Sequence, residues 1–428
     1  MMPAPSKPLD IELPENTTRD RPKFSDIVVS ASGTPRVVNT ADNLQELATY
    51  CGVGFRFNML EFVPETHDLT GDKLDLSFDQ LRSEFVSAAS RFGLPKAAID
   101  DHLVALAENN KYHPVKHWLD SGEWDGIARL NRVVTCLNAE HESLAVAVIK
   151  HWLVGCVASL YEGSFKSKLV PVLQGSQSYK KTAYVERIAS IMPHAFLEGA
   201  ELNPDNKDSL ISCTRAFIVE LGELERTNKN SQGSLKAFIT KSIDTVRPPY
   251  ARTDIKKPRQ THFIATVNGD NFLKDETGSS RFVVLAMNKA ADMDKLNTIL
   301  GWHYDGTGSI KQTNPELLKQ FWLEVKQLYQ DGFGWMLSEH EITLAQSINE
   351  SFNDKGSWYE YIKDKYVKEN DHINIRLSWI TAGELVDEDD NLTSRETGLI
   401  GKALKKLANE DLIRTRKGRA NRTEYHFP

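Results

Sequence analysis

The chain has 428 residues, 40% of them hydrophobic and 26% charged, a globular composition with length for roughly two to four domains. A net charge of −7 excludes a protein that coats nucleic acid through its overall charge, while leaving room for a local basic face. No apolar run of about 18 residues occurs, so no transmembrane helix and no membrane partner are expected, and Met1-Met-Pro-Ala-Pro-Ser6 lacks the apolar centre of a signal peptide. Cys51, Cys136, Cys156 and Cys213 are far apart, without a C-x-x-C pair. That spacing predicts reduced, mainly buried thiols and a cytoplasmic location.

In chain order, residues 1–45 are rich in Pro, Ser, Thr, Asn and charge, and read as a flexible N-terminal arm. Residues 46–165 read as a mostly helical domain. Within it Gly54–Phe62 alternates like a strand, Phe78–Phe92 and Ala97–Glu108 are amphipathic helices, and a helix from about Ser143 to Leu160 follows an aromatic, Pro- and Gly-containing stretch at Tyr112–Leu130. Residues 166–290 alternate strands with helices, which implies a mainly parallel α/β sheet. The strands are Leu169–Gln174, Arg215–Leu224, His262–Asn268 and Arg281–Ala286; Gly233–Ile243 reads as a helix, and Val246–Gln260, with three prolines and five basic residues, as an extended hairpin. Residues 291–355 form a helical lid or connector. Residues 356–428 end in three helical runs and two short strands around a basic turn, the layout of a winged helix.

The central chemistry lies at Leu169-Val-Pro-Val-Leu-Gln-Gly-Ser-Gln-Ser-Tyr-Lys-Lys-Thr182. An apolar strand, a polar turn beginning at Gly175, and a Lys-Thr pair opening a helix form the layout of a phosphate-binding P-loop. Loop and helix N–H groups, from Gly175 through Lys180, cradle phosphate in such a site; Lys181 reaches the β/γ oxygens and Thr182 holds Mg²⁺. The standard pattern has Gly directly before the Lys, and here that residue is Lys180. An ordinary strand-to-helix turn is the alternative for the motif alone. Glu220 and Glu223 at the end of the next apolar strand are candidates to hold the metal and polarise water, and Glu220 joins Thr182 as a metal-ligand candidate. Asn268 ends a third strand and is placed to orient that water. Arg281 follows a Gly-Ser-Ser turn, from which a cation can reach a neighbouring subunit's phosphate.

The runs Phe217–Leu224, Leu235–Arg252, Lys257–Gln260, Ala265–Asn268 and Asp275–Phe282, with His113–Leu119 and Trp124–Leu130 upstream, resemble the virulence-associated protein E family. These are P-loop proteins of phages and genomic islands, similar to superfamily 3 replicative helicases. The resemblance covers roughly residues 100–355. It implies an AAA+-like ATPase core using ATP and Mg²⁺, with Lys181 and Thr182 as the Walker A pair and Glu220 and Glu223 as the Walker B acids. Asn268 becomes the first sensor and Arg281 the arginine-finger candidate. The hairpin carrying Arg247, Arg252, Lys256 and Lys257 becomes the element that projects into a ring's channel. In this sequence Lys180 stands at the P-loop Gly, and Ser280 where the family often has a first Arg.

The last segment adds a basic module. Residues 391–428 hold nine Lys/Arg against four Asp/Glu, about +5 on a net negative chain. In a winged helix Arg395–Leu407, with Lys405 and Lys406, becomes the recognition helix, and Arg416, Lys417, Arg419 and Arg422 surround the wing tip; a protein-docking module is the alternative. The combined expectation is an ATP-dependent DNA helicase or translocase of phage or mobile-element replication. It forms a ring, expected to be hexameric, around single-stranded or forked DNA, in company with host or phage replication proteins. The competing expectations are a DNA-binding initiator or replisome adaptor with little or no ATPase activity, and a transcriptional regulator acting through the winged helix.

Overall fold

A computed structural model of the chain describes residues 21–200, 206–222, 238–247, 254–269, 272–273, 281–352, 355–368, 378–418 and 421–428. It divides into a unit of Met1–Asn268 with Arg281–Ile342 and a unit of Gly269–Ser280 with Thr343–Pro428.

In the first unit, part of the expected arm is built into structure. β1 (Ile27–Val29) pairs antiparallel with β2 (Pro35–Val37), and α1 (Ala41–Tyr50) starts where the Thr40 hydroxyl accepts the Asn43 N–H. A three-stranded sheet follows among the helices: β3 (Val53–Asn58) lies between antiparallel β4 (Val63–Asp68) and parallel β5 (Lys111–Tyr112). α2 (Phe78–Phe92) and α3 (Ala97–Asn109) lie where their periodicity puts them. The ends of α2 are local chemistry: Ser77 and Gln80 form a reciprocal capping box, and Gly93 at φ 82° closes the helix. Leu47, Phe55, Phe57, Phe85 and Leu103 fill the core between sheet and helices, each contributing on the order of 1.5–3 kcal/mol by leaving water.

After α4 (Pro114–Asp120) and α5 (Leu130–Thr135) comes α6 (Glu142–Tyr161). This helix is long and apolar enough to cross a bilayer, with a mean hydropathy of 1.7, but 72% of that window is buried inside the protein. Its apolar surface is therefore already taken up by the core. β6 (Val170–Gln174), α7 (Lys181–Ala189), β7 (Phe196–Leu197), α8 (Lys207–Thr214) and β8 (Ile218–Gly222) then alternate. A hairpin of β9 (Ile243–Val246) and β10 (Ile255–Pro258) precedes β11 (His262–Val267) and β12 (Phe282–Ala286). Five of these strands form one parallel sheet in the order β12-β6-β11-β8-β7. Every residue of β6, β11 and β12 is buried, which explains their unbroken apolar runs: a parallel sheet covered on both faces has no solvent side to alternate toward. From β6 the chain goes to the far edge at β7, works inward through β8 and β11, and then passes β6 to reach β12. The carboxyl ends beside β6 are thus a topological switch point, where open α/β sheets bind ligands. α9 (Met293–Leu300), the β13–β14 hairpin (Trp302–Tyr304, Ile310–Gln312) and α10 (Pro315–Gln330) complete the unit. The buried Trp322 Nε1 donates to the Ile188 carbonyl at 2.9 Å, fastening α10 to α7.

Within the stretch expected to be an extended hairpin, the described residues include paired strand ends at Val246 and Ile255–Pro258, and they differ from expectation at two points. Ile243, read as the end of a helix, opens β9, because Ile-Asp-Thr-Val pairs in register with Ile255–Pro258. Lys257, read as a DNA-contacting cation, is fully buried: its ammonium lies 4.5 Å from the Phe62 ring centre and donates to the Thr214 carbonyl at 3.4 Å. The cause is the period of a strand, which turns alternate residues to opposite faces. Ile243, Thr245, Lys256 and Pro258 face outward, while Asp244 and Lys257, directly opposed, face inward. Arg259 completes the buried cluster with a bidentate pair to Asp244 at 2.6 and 2.5 Å.

In the second unit, α11 (Glu339–Glu350) carries the chain over from the first, and α12 (Ser357–Ile362) runs into a π-helical turn, Lys363–Lys368. α13 (Ala382–Glu388) begins at a Thr381/Glu384 capping box, and α14 (Thr397–Asn409) leads to antiparallel β15 (Arg414–Lys417) and β16 (Thr423–His426). A bridge from Ile380 to Tyr425 adds a third extended segment. Tyr359, Leu385, Leu404, Leu407 and Phe427 form the core.

Burial of Lys257 has a pH signature. Desolvation brings its pKa from 10.5 to about 7, with Asp244 opposing and Arg259 adding to the fall. Between these values the unfolded chain binds more protons than the fold. Stability therefore rises with pH across that window, by up to about 1.4 kcal/mol per unit, and is lost as pH falls toward 7. Lys257→Met should be more stable than the parent at pH 7, with the gap closing toward pH 10.5 in urea denaturation. A gap that stays constant would mean the lysine remains charged in the fold.

Candidate functional site

The loop between β6 and α7 is held by its own residues. A Cβ on Gly175 would lie 2.7 Å from the Tyr179 ring, so only glycine lets that ring close over the backbone. The Tyr179 hydroxyl donates to the Asn288 carbonyl at 3.2 Å, and its own carbonyl accepts the Ala291 N–H at 3.0 Å. The loop is thereby tied to the chain just beyond β12. Lys180 caps α7 in the left-handed region, φ 59°, ψ 33°, the conformation for which the standard pattern supplies glycine. A left-handed residue entering a helix turns successive N–H groups toward one concave point, and the first-turn N–H groups of α7 have no partner within the helix.

Lys181 is 6% exposed. Its ammonium donates to the Gly175 and Ser176 carbonyls at 2.7 and 2.9 Å and to Asn268 Oδ1 at 2.9 Å, which uses its three donors and joins the loop to the end of β11. Burial lowers its pKa from the ordinary lysine range, against the attraction of Glu220. Glu220 is 1% exposed. One carboxylate oxygen accepts the Thr182 hydroxyl at 2.7 Å and the Thr266 hydroxyl at 2.6 Å, and the other accepts the Gly199 N–H at 2.9 Å. Gly199 has φ +59°, and a Cβ on Gly222 would lie 3.0 Å from the Gly199 Cα, so the ends of β7 and β8 touch backbone to backbone.

These residues surround a cavity of about 270 Å³, lined also by Lys180, Glu198 and Gly222. One side is cationic and rich in N–H donors; the other carries a carboxylate beside a hydroxyl. The Thr182 hydroxyl and Glu220 carboxylate are a hard-oxygen donor pair of the kind that, with phosphate oxygens and water, holds Mg²⁺. Glu198 is exposed to solvent, but the desolvation it does experience raises its pKa, with the Glu186 and Glu220 carboxylates adding to the effect.

The fold therefore brings Gly175, Lys180, Lys181, Thr182, Glu220 and Asn268 together. Glu223 lies outside the described residues. Arg281 precedes β12 at the end of the sheet opposite the cavity, a strand of five residues, or about 17 Å, away. The sequence reading missed Glu198, Gly199, Gly222, Thr266 and Tyr179. Only Thr266, a polar residue inside an apolar strand, carried a readable signal; the two-residue strand before Glu198 is too short for periodicity to show.

Among the expected DNA-contacting residues, Arg247, Lys256, Lys405, Lys417 and Arg422 are exposed. Lys406 is half-buried, with its ammonium 3.4 Å from the Lys355 carbonyl. Arg416 pairs with Glu424 at 2.7 Å and stacks over Trp379 at 4.3 Å. Arg252 and Arg419 lie outside the described residues. Lys402 and Lys405 are exposed at helical spacing on one face of α14, which also carries the exposed Leu399, and Arg395 is exposed in the turn just before the helix.

Fold and site together define a mixed α/β protein with a parallel sheet, in which a strand–loop–helix turn sets a lysine and a threonine beside a buried carboxylate. Residues 119–354 match the virulence-associated protein E-like domain. That is more than half of the chain, and the chain belongs to this family. No curated protein matches it. Among solved structures, the A form apo structure of the NrS-1 C terminal region is similar at 12% identity, covering 90% of this chain and 98% of that one with a TM-score of 0.46. A second apo structure of that region, residues 305–718, gives 11% identity, the same coverage and a TM-score of 0.46.

Left-handed backbone at a residue with a Cβ costs about 1–2 kcal/mol, while a glycine adds about 0.4–1 kcal/mol of unfolded-state entropy. Lys180→Gly should therefore stabilise the protein by about 1 kcal/mol in chemical denaturation, and Lys180→Ala, which keeps the Cβ, should give no gain. Equal gains from both variants would place the cost in the lysine side chain instead.

Proposed function

We propose that the chain is an ATP-driven DNA translocase of the superfamily 3 helicase type, acting in phage or mobile-element replication in the cytoplasm of a bacterial host. The observation that carries this reading is the convergence of Lys181 and Thr182, at the start of α7, with Glu220 from β8 and Asn268 from the end of β11. In this reading the first turn of α7, with Lys180 and Lys181, binds the triphosphate. Thr182 and Glu220 hold Mg²⁺, which supplies charge neutralisation between the β- and γ-phosphates. Asn268 fixes the Lys181 ammonium. The strand order, with the lysine-bearing loop after a central strand and the carboxylate two strands away, supports an AAA+-like core.

Arg281 lies at the opposite end of its strand from the cavity, so it reaches a γ-phosphate only when a second copy presents it. This supports a closed ring of copies, with a hexamer as the proposed size. The outward face of the β9–β10 hairpin, bearing Lys256, is the proposed channel contact. The C-terminal unit is proposed as a winged helix whose α14 face and basic hairpin hold single-stranded or forked DNA, with other replication proteins as further partners.

An assay of phosphate release with and without single-stranded DNA tests the enzyme reading. Lys181→Ala and Glu220→Gln should each lower DNA-stimulated turnover by at least about 100-fold. Absence of turnover in the parent, with DNA binding intact, would favour the non-hydrolysing initiator or adaptor. Binding to duplex DNA over a salt series tests the basic face: Lys405→Ala and Lys417→Ala should each reduce the slope of log K against log salt by about 1. Lys257→Met should leave that slope unchanged, since its ammonium is buried. Unaltered slopes in the two exposed variants would remove α14 and the hairpin from the DNA contact.

A further inference from the structure

Among the described residues, two carboxylates line the cavity, and they are in different situations. Glu220 is enclosed, and both its oxygens are engaged by the Thr182 and Thr266 hydroxyls and the Gly199 N–H. Glu198 lines the same cavity, is solvent-exposed, and makes no hydrogen bond or ion pair among the described residues. Its position is nevertheless fixed. The N–H groups of the next two residues both bond to Glu220: Gly199 to its side chain at 2.9 Å and Ala200 to its carbonyl at 2.8 Å. The close approach of Gly199 and Gly222 leaves that turn no room to slide. The edge strand β7 thus presents Glu198 at a set spacing from Glu220, toward the space that Lys181 and Thr182 also face.

We propose that Glu198 is the base that orients and deprotonates the attacking water, and that Glu220 serves the metal and the framework of the site. This rests on the ATP-hydrolysing reading above. A carboxylate already accepting three hydrogen bonds gives up part of that network to accept a water proton, whereas Glu198 has both oxygens free of such bonds among the described residues. In the step, the water oxygen bonds to the γ-phosphorus. The bond from that phosphorus to the β–γ bridging oxygen breaks, its electron pair leaves on ADP, and the water proton passes to the Glu198 carboxylate before release to solvent.

The test uses the full chain with Glu198→Gln, an isosteric change at an exposed position. It measures steady-state phosphate release and, separately, equilibrium affinity for a fluorescent ATP analogue with Mg²⁺. Turnover should fall about 100-fold or more, with affinity within about threefold of the parent, because the lost group acts on water and not on nucleotide. Turnover above about one third of the parent overturns the assignment and leaves the ATPase reading standing. Loss of affinity in step with turnover also overturns it, by making Glu198 a binding or structural residue. A parent protein that binds the analogue without turnover overturns the hydrolytic reading itself and this assignment with it.

Discussion

The hydrogen bonds converging on the Glu220 carboxylate organise the site. They come from three separate places: Thr182 in the first turn of α7, Thr266 on β11, and Gly199 after β7. A buried carboxylate without such donors would cost several kcal/mol. Each donor therefore has a reason to stay where it is, and with it the helix start, the central strand and the edge strand. Lys181 makes the complementary tie on the other side, joining the loop carbonyls to Asn268. Opposite charges are held a short distance apart by separate sets of partners instead of collapsing into a direct ion pair. That separation keeps a cavity open between them.

Lys180 shows how a departure from a sequence pattern can be absorbed. The pattern's glycine supplies a left-handed backbone, and the loop here keeps that backbone with a lysine in it. What compensates is found elsewhere in the loop. Tyr179 closes over Gly175 and is anchored to Asn288 and Ala291, so the loop's path is over-determined by packing from the β12 side. A strained residue persists where its surroundings leave no alternative.

The β9–β10 hairpin illustrates the same division on a charged element. Five basic residues in a Pro-rich stretch look alike in one dimension, but a strand period of two sends neighbours to opposite faces. Lys256 is outside, and Lys257 is inside with Asp244 and Arg259. The register that decides this is set by pairing with Ile243–Val246, and the neutralising Asp244 is thirteen residues away in sequence.

By itself the sequence determined what depends on neighbours along the chain: the amphipathic helices Phe78–Phe92 and Ala97–Glu108, the apolar runs of the parallel strands, the Lys181–Thr182 helix start, and the family to which the chain belongs. Hydrophobic period, capping residues and strand-end polarity are local, so they can be read without coordinates. Tertiary structure decided which side chains share a space. It placed Glu220 and Asn268 against Lys181 and Thr182, put Arg281 at the far end of its strand, took Lys257 out of solvent, and added Glu198 from a strand too short to announce itself. Those outcomes follow from strand order and register, which are set by burial and backbone pairing between segments distant in sequence. Lys180 holds a left-handed backbone at the start of α7, and the packing of Tyr179 over Gly175 accounts for how a lysine can hold that conformation.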